Sequence, residues 1–281
     1  MPELPEAETI RRQLAQSIKG AKITRVQVTL RRIVRDHGSP RELVRLVQER
    51  TIKKIERRGK ALVFTLNTVK PATMMIRLGM SGQLLVNKPK DERLNHTHII
   101  FSLNDGRELR FVDIRQFGSA QAWPHHDWSE IPELAQYGPE PLSKDFTLDF
   151  LSQALKRRAI KLKAALMDQK LVAGIGNIYA DEICFEARIH PERKASSLTK
   201  PELERLYAAI PAVLRRAIKH MGTSAEDETY TDVFGNPGRF QRMLRVYRRT
   251  DQPCRVCGTP IKRSVLQKRG VHFCPKCQKR S

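Results

Sequence analysis

The spacing of four cysteines near the C-terminus constrains the fold of this chain more than any other feature. Two C-x2-C pairs, separated by 16 residues, are formed by Cys254, Cys257, Cys274 and Cys277. This is the spacing of a four-cysteine zinc site, in which the intervening stretch crosses between two metal-binding knuckles as a hairpin. Two disulfides are the alternative, but the N-terminal MPELPEAE lacks the apolar segment of an export signal. We therefore predict one structural zinc ion, since four cysteine ligands leave no open coordination position.

The chain also carries a large positive charge. Across 281 residues, 52 Lys+Arg against 30 Asp+Glu give a net charge of +22. Residues 245–281 contain 11 basic residues and one acidic residue, so 11 − 1 = +10 of that charge belongs to the zinc module and its approach. A polyanion is the natural partner of such a field, and nucleic acid is the leading candidate, with a basic surface kept for solubility as the alternative.

Composition and hydropathy exclude two other classes of protein. Hydrophobic residues make up 40% of the chain, which is enough for packed cores and excludes a disordered basic tail. No apolar run approaches the ~18 residues of a transmembrane helix. We therefore expect a soluble, cytoplasmic protein, and a monomer.

The first 123 residues predict one helix followed by many short strands. Ile10, Leu14 and Ile18 recur at helical spacing, and Gly20 follows as a C-terminal cap. From residue 22 onward the period changes to two, in segments such as ITRVQVTL, ALVFTL, THIIFSL and RELRFVDI. NDG at 104–106 separates two of these segments and predicts a tight hairpin turn. The predicted fold class is α+β, with an N-terminal helix in front of an antiparallel β-sandwich or open barrel.

The remainder of the chain predicts a helical domain that ends in the zinc module. A stretch rich in proline and polar residues, 124–145, is interpreted as a linker. Helical segments follow, and the tight GIGNIY turn at 174–179 joins two of them. The irregular and partly acidic stretch 222–239 is interpreted as a mobile loop. The predicted domains are therefore 1–123, 146–239 and 240–281, with 124–145 between the first two.

The N-terminus holds residue types that suit nucleophilic attack on carbon. A small second residue such as Pro2 permits removal of Met1, which would expose a secondary amine. A terminal amine has a pKa of about 8 against about 10.4 for lysine, so about one terminus in ten is neutral at pH 7 and able to attack. Glu3 and Glu6 flank that amine, and a carboxyl group can protonate a departing oxygen. The alternative is structural, with Pro2 starting the helix and the two acids stabilising its dipole.

Several motifs occur in an order that resembles one known family. PELPEAET, GMSG, DIRQFG, GIGNIYADE and the zinc segment together resemble the bacterial formamidopyrimidine-DNA glycosylases, from Pro2 to Gln278. The related endonuclease VIII branch typically opens with PEGPE, so PELPE favours the first branch. The resemblance implies a helix-two-turn-helix DNA-binding element at GIGNIY. It also implies a base excision repair enzyme, a DNA glycosylase and abasic-site lyase that removes oxidised purines such as 8-oxoguanine and formamidopyrimidines from duplex DNA.

The resemblance implies catalytic roles for four residues. Pro2 would attack C1′ of the damaged nucleotide and form a Schiff base, which permits β,δ-elimination of both flanking phosphates. Glu3 would act as the acid at the deoxyribose ring oxygen, and Glu6 would orient the proline amine. Lys60, otherwise a solvated turn lysine in ERRGKALVF, would reach a phosphate next to the lesion. We expect Glu8 to face solvent and the neighbouring Arg57 to belong to the general positive surface.

The resemblance also implies DNA contacts. An enzyme that takes a base out of the stack must fill the gap, and apolar wedges with an arginine suit that task. Met80, Arg115 and Phe117 match this trio, and Arg115 would form a hydrogen bond with the orphaned base. Taken one at a time, Met80 and Phe117 would be interpreted as core residues and Arg115 as a surface charge. The other implied contacts are His96, Lys163, Asn177 and Arg269.

Two features depart from the family pattern. Arg77 precedes LGM where relatives usually have histidine, which changes a contact on the phosphate side. Segment 222–236, which covers the flipped base in the family, is unusually acidic and leaves the substrate preference open. An endonuclease VIII-like preference for oxidised pyrimidines is therefore one alternative. A non-catalytic zinc protein that binds DNA is another, but it would need neither a free Pro2 nor the paired glutamates.

Overall fold

An eight-stranded antiparallel sheet occupies most of the first half of the chain. In this computed structural model the described residues are 2–34, 39–67, 71–127, 130–224 and 230–280. The strands are β1 (Lys22–Val28), β2 (Arg50–Arg58), β3 (Ala61–Leu66), β4 (Ala72–Arg77), β5 (Gly82–Asn87), β6 (Thr97–Leu103), β7 (Glu108–Asp113) and β8 (Ser119–Trp123). Their order across the sheet is β5-β7-β6-β1-β2-β3-β4-β8.

The sheet divides into two four-stranded halves where β1 meets β2. That junction consists of the residue pairs Lys22↔Thr51 and Ile23↔Arg50. Apolar side chains from both halves form one buried core, including Ile99 and Phe111 from one half and Phe64 from the other. The predicted α+β class with an antiparallel sandwich is therefore confirmed. The NDG segment also forms the predicted turn between β6 and β7, with Gly106 at φ +83°.

Helix α1 (Leu4–Ser17) packs against β2 and β3. It forms because Ile10 and Leu14 fall on one buried face and because a capping box satisfies its first turn, with the Glu3 N–H donating to Glu6 Oε2 at 2.8 Å. The C-terminal cap is Ile18, and Gly20, with φ +90°, lies two residues beyond it. Helix α1 is thus capped two residues before Gly20, which the sequence predicted as its C-terminal cap.

A second helix, α2 (Pro40–Val47), lies inside the region where only strands were expected. The Ser39 hydroxyl caps it by accepting from the Glu42 N–H at 3.3 Å, and proline occupies the first turn. Leu43, Leu46 and Val47 form its buried face. The prediction missed this helix because eight residues between two strands are too few to reveal a helical period.

The second half of the chain is mainly helical. Its helices are α3 (Pro132–Ala135), α4 (Leu148–Lys156), α5 (Leu162–Met167), α6 (Asn177–Glu186) and α7 (Lys200–Lys219). Helix α6 is buried along most of its length and packs against α5 and α7, so it forms the centre of this part of the molecule. The GIGNIY turn connects α5 to α6 as predicted. A hairpin of β9 (Lys262–Leu266) and β10 (Arg269–Phe273) follows. None of the helices within the described ranges has the length and apolar content needed to cross a membrane.

Contacts group the chain into two units, which we call the sandwich unit and the helical unit. The sandwich unit comprises Met1–Ala135 and His220–Gln241, and the helical unit comprises Gln136–Lys219 and Arg242–Ser281. The domain boundaries given above stay a prediction, but contacts group 220–239 with the sandwich because, for example, the Val86 N–H donates to the Val233 carbonyl at 2.8 Å. Residues 222–224, 230, 232 and 233 are buried, 234–237 are exposed, and 225–229 lie outside the described residues. The buried part of the predicted mobile loop is therefore packed.

Candidate active site and nucleic-acid interface

The N-terminal end of α1 gathers the first group of candidate residues. Pro2, Glu3 and Glu6 are all buried there. The Glu6 carboxylate accepts from the Glu3 N–H through Oε2, at 2.8 Å, and from the Thr223 N–H through Oε1, at 2.7 Å. A Cβ added to Gly222, whose φ is +77°, would lie 2.6 Å from Glu6 Oε1. The Glu6 carboxylate is thus held in a fixed position, close to the Pro2 end of the helix.

Lys60 lies in the two-residue turn between β2 and β3, after Gly59. Arg57 Nη1 donates to the Gly59 carbonyl at 2.7 Å, and Arg57 Nε lies 3.3 Å from Glu8 Oε2 on α1. The expectation that Glu8 faces solvent is wrong, since its side chain is only 12% exposed. Burial alone would raise the pKa of Glu8, but hydrogen bonds from neighbouring arginines outweigh burial and lower it. An ion pair therefore ties the Lys60 turn to α1.

Met80, Arg115 and Phe117 lie on adjacent turns of the sandwich unit. Phe117 is 50% exposed, and the guanidinium carbon of Arg115 lies 5.2 Å from the centre of its ring. The turn that carries Met80 touches the backbone of this loop, because a Cβ added to Gly79 would lie 2.5 Å from the Phe117 carbonyl carbon. His96, exposed and with φ +65°, accepts at its carbonyl from the Asp113 N–H at 3.0 Å. The fold thus links all four residues to one end of β7.

Asn177 is the first residue of α6 and follows a tightly closed turn. Gln169, which the sequence did not single out, closes that turn by accepting from the Gly174 N–H and donating to the Ile175 carbonyl, both at 2.8 Å. Asn177 Nδ2 lies 3.4 Å from the Tyr247 hydroxyl, and its Oδ1 has no hydrogen-bond partner within the described ranges. The N–H groups at the start of this ten-residue helix suit an anion such as phosphate.

Lys163 and Arg269 occupy very different environments. Lys163 is 1% exposed, and its ammonium lies 2.8 Å from Asp181 Oδ1 and donates to the Gly270 carbonyl at 2.6 Å. The direct DNA contact predicted for Lys163 does not fit this enclosed position, which instead makes Lys163 a support for the β9–β10 hairpin. Arg269 is exposed at the start of β10, directly before the carbonyl that Lys163 holds.

Two buried acids on α6, which the sequence reasoning did not single out, fasten the zinc module to the helical unit. Asp181 Oδ2 accepts from the His272 N–H at 3.0 Å. The Glu182 carboxylate accepts from three consecutive backbone N–H groups, those of residues 245–247, at 2.9 to 3.1 Å. Burial raises the pKa of Glu182, an effect that these hydrogen bonds oppose. The signal in the sequence was the pair of acids inside the apolar stretch IYADEICF.

The four cysteines converge as the spacing predicts. Their sulfur atoms all lie within 4.8 Å of one another, with Cys254 Sγ to Cys277 Sγ at 3.9 Å and Cys257 Sγ to Cys274 Sγ at 3.5 Å. Tetrahedral zinc with Zn–S bonds of about 2.3 Å requires sulfur separations of about 3.8 Å, so the four thiolates fit one zinc ion. The β9–β10 hairpin lies between the two pairs. The zinc prediction is therefore confirmed.

Fold and site together define a class of protein that combines a basic four-cysteine zinc module with a buried Pro2 and two buried glutamates at the start of its first helix. Three family models identify the family within it. The formamidopyrimidine-DNA glycosylase N-terminal domain matches residues 1–120, the formamidopyrimidine-DNA glycosylase H2TH domain matches 137–229, and the zinc finger found in FPG and IleRS matches 251–280. The chain belongs to the formamidopyrimidine-DNA glycosylase family.

Individual relatives agree over nearly the whole chain. The formamidopyrimidine-DNA glycosylase of Listeria monocytogenes is 41% identical over 279 residues, 99% of this chain and 100% of that protein. The crystal structure of the MutM (Fpg) protein from Thermus thermophilus is similar with a TM-score of 0.89 at 40% identity, covering 100% of both chains. A complex of the Lactococcus lactis Fpg with DNA containing an abasic site is similar with a TM-score of 0.90 at 33% identity, covering 99% of each chain.

Proposed function

We propose that the protein is a bifunctional DNA glycosylase and abasic-site lyase of base excision repair, which removes oxidised purines from duplex DNA. The observation that carries the proposal is the enclosed cluster at the start of α1, where Pro2 adjoins Glu3 and the fixed carboxylate of Glu6. The capping box explains the contact between Glu3 and Glu6 within α1, but it does not explain the hydrogen bond that Glu6 also accepts from the distant Thr223 N–H. Family membership supports the same activity.

The first chemical step needs a neutral amine next to an acid. After removal of Met1, the Pro2 nitrogen attacks C1′, and the bond from C1′ to the damaged base breaks with its electron pair leaving on the base, which takes up a proton. The attacking nitrogen loses its proton, which balances the proton that the base takes up. Glu3 then protonates the ring oxygen as its bond to C1′ opens, and the freed nitrogen lone pair completes the Schiff base as an iminium ion. The Glu6 carboxylate offsets the positive charge that forms afterwards.

Strand cleavage follows from the Schiff base. Loss of a proton from C2′ expels the 3′ phosphate, and a second elimination expels the 5′ phosphate, so that a one-nucleotide gap remains. Lys60, tied to α1 through the Arg57–Glu8 ion pair, is proposed to contact a phosphate beside the lesion. The zinc ion supplies structure, because four cysteine ligands fill its coordination shell.

The remaining site residues are proposed to bind the DNA. Met80 and Phe117 would occupy the space that the flipped nucleotide leaves, and Arg115 would hydrogen-bond the orphaned base. His96, Asn177 and Arg269 would contact the phosphate backbone, which supplies most of the affinity without reading sequence. The proposed location is the bacterial cytoplasm, where the chromosome lies.

Borohydride trapping tests the proposal, because it reduces the Schiff base and leaves enzyme and DNA covalently linked. The test uses duplexes with 8-oxoguanine, a formamidopyrimidine or thymine glycol, after mass spectrometry has established that Met1 is removed. We expect crosslinking and cleavage with both purine lesions, and much less with thymine glycol. A chain with one extra residue before Pro2 is the matched control, because it keeps Glu3 and Glu6 but displaces the amine, and it should not crosslink.

Three other outcomes would contradict the proposal. Preference for thymine glycol would favour an enzyme for oxidised pyrimidines. DNA binding without any crosslink would favour a non-catalytic zinc protein. Equal crosslinking by the extended control would show that Pro2 is not the nucleophile.

A further inference from the structure

We infer that Asp113 is the positioning residue that holds the DNA-reading segments of the sandwich unit in register with one another. These segments are the 78–82 turn with Met80, the 94–97 turn with His96, and the 114–118 loop with Arg115 and Phe117. The inference rests on the DNA contacts proposed above for those four residues. It adds a residue that makes none of the proposed contacts itself.

The Asp113 carboxylate is fully buried and binds both ends of the 114–118 loop. Its Oδ2 accepts from the Gly118 N–H at 2.7 Å, and its Oδ1 accepts from the Ser81 hydroxyl at 2.6 Å. The Ser81 hydroxyl in turn accepts from the Arg115 N–H at 2.9 Å. One carboxylate therefore fixes the start of the loop through Ser81 and its end directly, and Ser81 adjoins Met80 in the chain.

The backbone of Asp113 holds the third segment. Its N–H donates to the His96 carbonyl at 3.0 Å, and its own carbonyl accepts a hydrogen bond from His98 Nε2 at 3.0 Å. His96 has a φ of +65°, a region that costs a residue with a side chain free energy unless its surroundings hold it there. All three segments thus depend on the last residue of β7.

The segments around Asp113 approach one another so closely that two of their glycines have no space for a Cβ. A Cβ added to Gly118 would lie 2.6 Å from the Phe111 ring, and one added to Gly79 would lie 2.5 Å from the Gly118 nitrogen. The tips of two of these segments are open to solvent, since Ile114 is 58% and Phe117 50% exposed and His96 is exposed, while Met80 is half-buried. Closely packed backbone beneath exposed side chains is the arrangement expected where side chains must enter a DNA duplex in a defined position.

Asp113→Asn keeps the volume of the side chain and disturbs its hydrogen bonds. The Gly118 N–H can only donate, so the amide oxygen must face it and the amide NH2 must face Ser81. The Ser81 hydroxyl would then receive two donors, the amide and the Arg115 N–H, and its own proton would lose its acceptor. The loop is therefore expected to shift although the core remains filled.

The experiment compares a substrate that needs the reading segments with one that does not. The first is a duplex with 8-oxoguanine, assayed opposite each of the four bases. The second is a single-stranded oligonucleotide with an abasic site, which has no orphaned base and no stack to fill. Asp105→Asn is the matched control, since it removes one carboxylate charge from an exposed hairpin turn of the same unit.

We expect Asp113→Asn to lower kcat/KM on the duplex by about 10²-fold, the effect of a small misplacement of a working group, and to flatten the preference among opposite bases. Cleavage of the single strand should fall far less, and Asp105→Asn should resemble the wild type on both substrates. Ser81→Ala should change the duplex reaction in the same direction, which keeps the test informative if Asp113→Asn folds poorly.

Equal losses of activity on both substrates, or no selective loss on the duplex for either variant, would overturn the inference. If the wild-type protein cleaves neither substrate, the proposed function fails instead. The two failures are therefore distinguishable.

Discussion

At the scale of single residues, the position of Glu6 depends on a residue that has no side chain. Gly222 lies against Glu6 with φ +77°, and the next N–H along the chain, that of Thr223, donates to the same carboxylate. Any side chain at position 222 would be strained by the backbone angle and would also meet the carboxylate. Glycine is therefore needed at this position for two separate reasons.

Gly222→Ala should impair both stability and Schiff-base formation. The backbone angle alone should cost about 1–3 kcal/mol of unfolding free energy, and contact with Glu6 should displace the carboxylate beside Pro2. Chemical denaturation measures the first effect, and the rate of borohydride trapping on abasic DNA measures the second.

Gly235→Ala is the matched control, because Gly235 has a similar φ of +85° and open space around its Cα. It should lose comparable stability and keep a wild-type trapping rate. If both variants trap equally slowly, the contact between position 222 and Glu6 has no bearing on the chemistry.

The sequence predicted that Pro2, Glu3 and Glu6 lie together, because they are neighbours in the chain. It could not predict the hydrogen bond from the Thr223 N–H to Glu6, because the two residues are 217 positions apart. It likewise marked Lys163 as a DNA contact by motif alone. Burial and the Asp181 partner, which depend on tertiary packing, place that ammonium inside the helical unit. The motif thus marked Lys163 in the sequence, whereas tertiary packing decides where its side chain points.

At the scale of elements, sequence patterns predicted those turns and hairpins whose formation depends on residues close together in the chain. The NDG turn and the β9–β10 hairpin between cysteine pairs follow from turn chemistry and metal spacing, and both are present. Helix α2 was missed because its stability comes from packing three side chains against β1 and β8, which no eight-residue pattern reveals.

Helix α6 connects the turn that carries Asn177 to the zinc module that carries Arg269. It does so through Asp181 and Glu182, whose carboxylates bind backbone N–H groups of β10 and of residues 245–247. The buried charges are tolerated here because three backbone N–H groups donate to Glu182 and the Lys163 ammonium pairs with Asp181. The two predicted phosphate ligands of the helical unit are therefore held by one helix.

Glu182→Gln should loosen the zinc module. The amide oxygen can take the place of Oε1, which faces all three N–H groups, but the amide NH2 would then face the Arg245 N–H that now donates to Oε2 at 2.9 Å. The substitution also removes the negative charge that strengthens these hydrogen bonds. We expect a loss of about 1–3 kcal/mol in unfolding free energy and faster removal of zinc by a chelator. Glu204→Gln, on the exposed face of α7, is the control and should change neither quantity. Unaltered zinc release in Glu182→Gln would contradict the role assigned to this carboxylate.

At the scale of the whole molecule, charge and chemistry occupy different parts of the chain. The zinc module and its approach supply +10 of the net charge of +22, whereas the predicted chemistry lies at an N-terminus rich in glutamate. The net charge favours association with any duplex and carries no information about damage. Under the proposed function, selectivity for damaged DNA would therefore come from contacts other than net charge, among them those proposed for the segments that Asp113 holds, and affinity would come from phosphate contacts such as the one proposed for Arg269.

Salt dependence distinguishes a discrete phosphate contact at Arg269 from a general effect of charge. Each phosphate that a protein neutralises contributes about 0.9 to the slope of log K against log salt, so Arg269→Gln should lower the slope for undamaged duplex by about 0.9. Arg215→Gln removes the same charge from an exposed position on α7 and should leave the slope close to that of the wild type. Fluorescence anisotropy at several salt concentrations measures both slopes. Equal changes in the two variants would mean that Arg269 acts only through the overall field, because a discrete contact releases its own counterion whereas a distant charge does not.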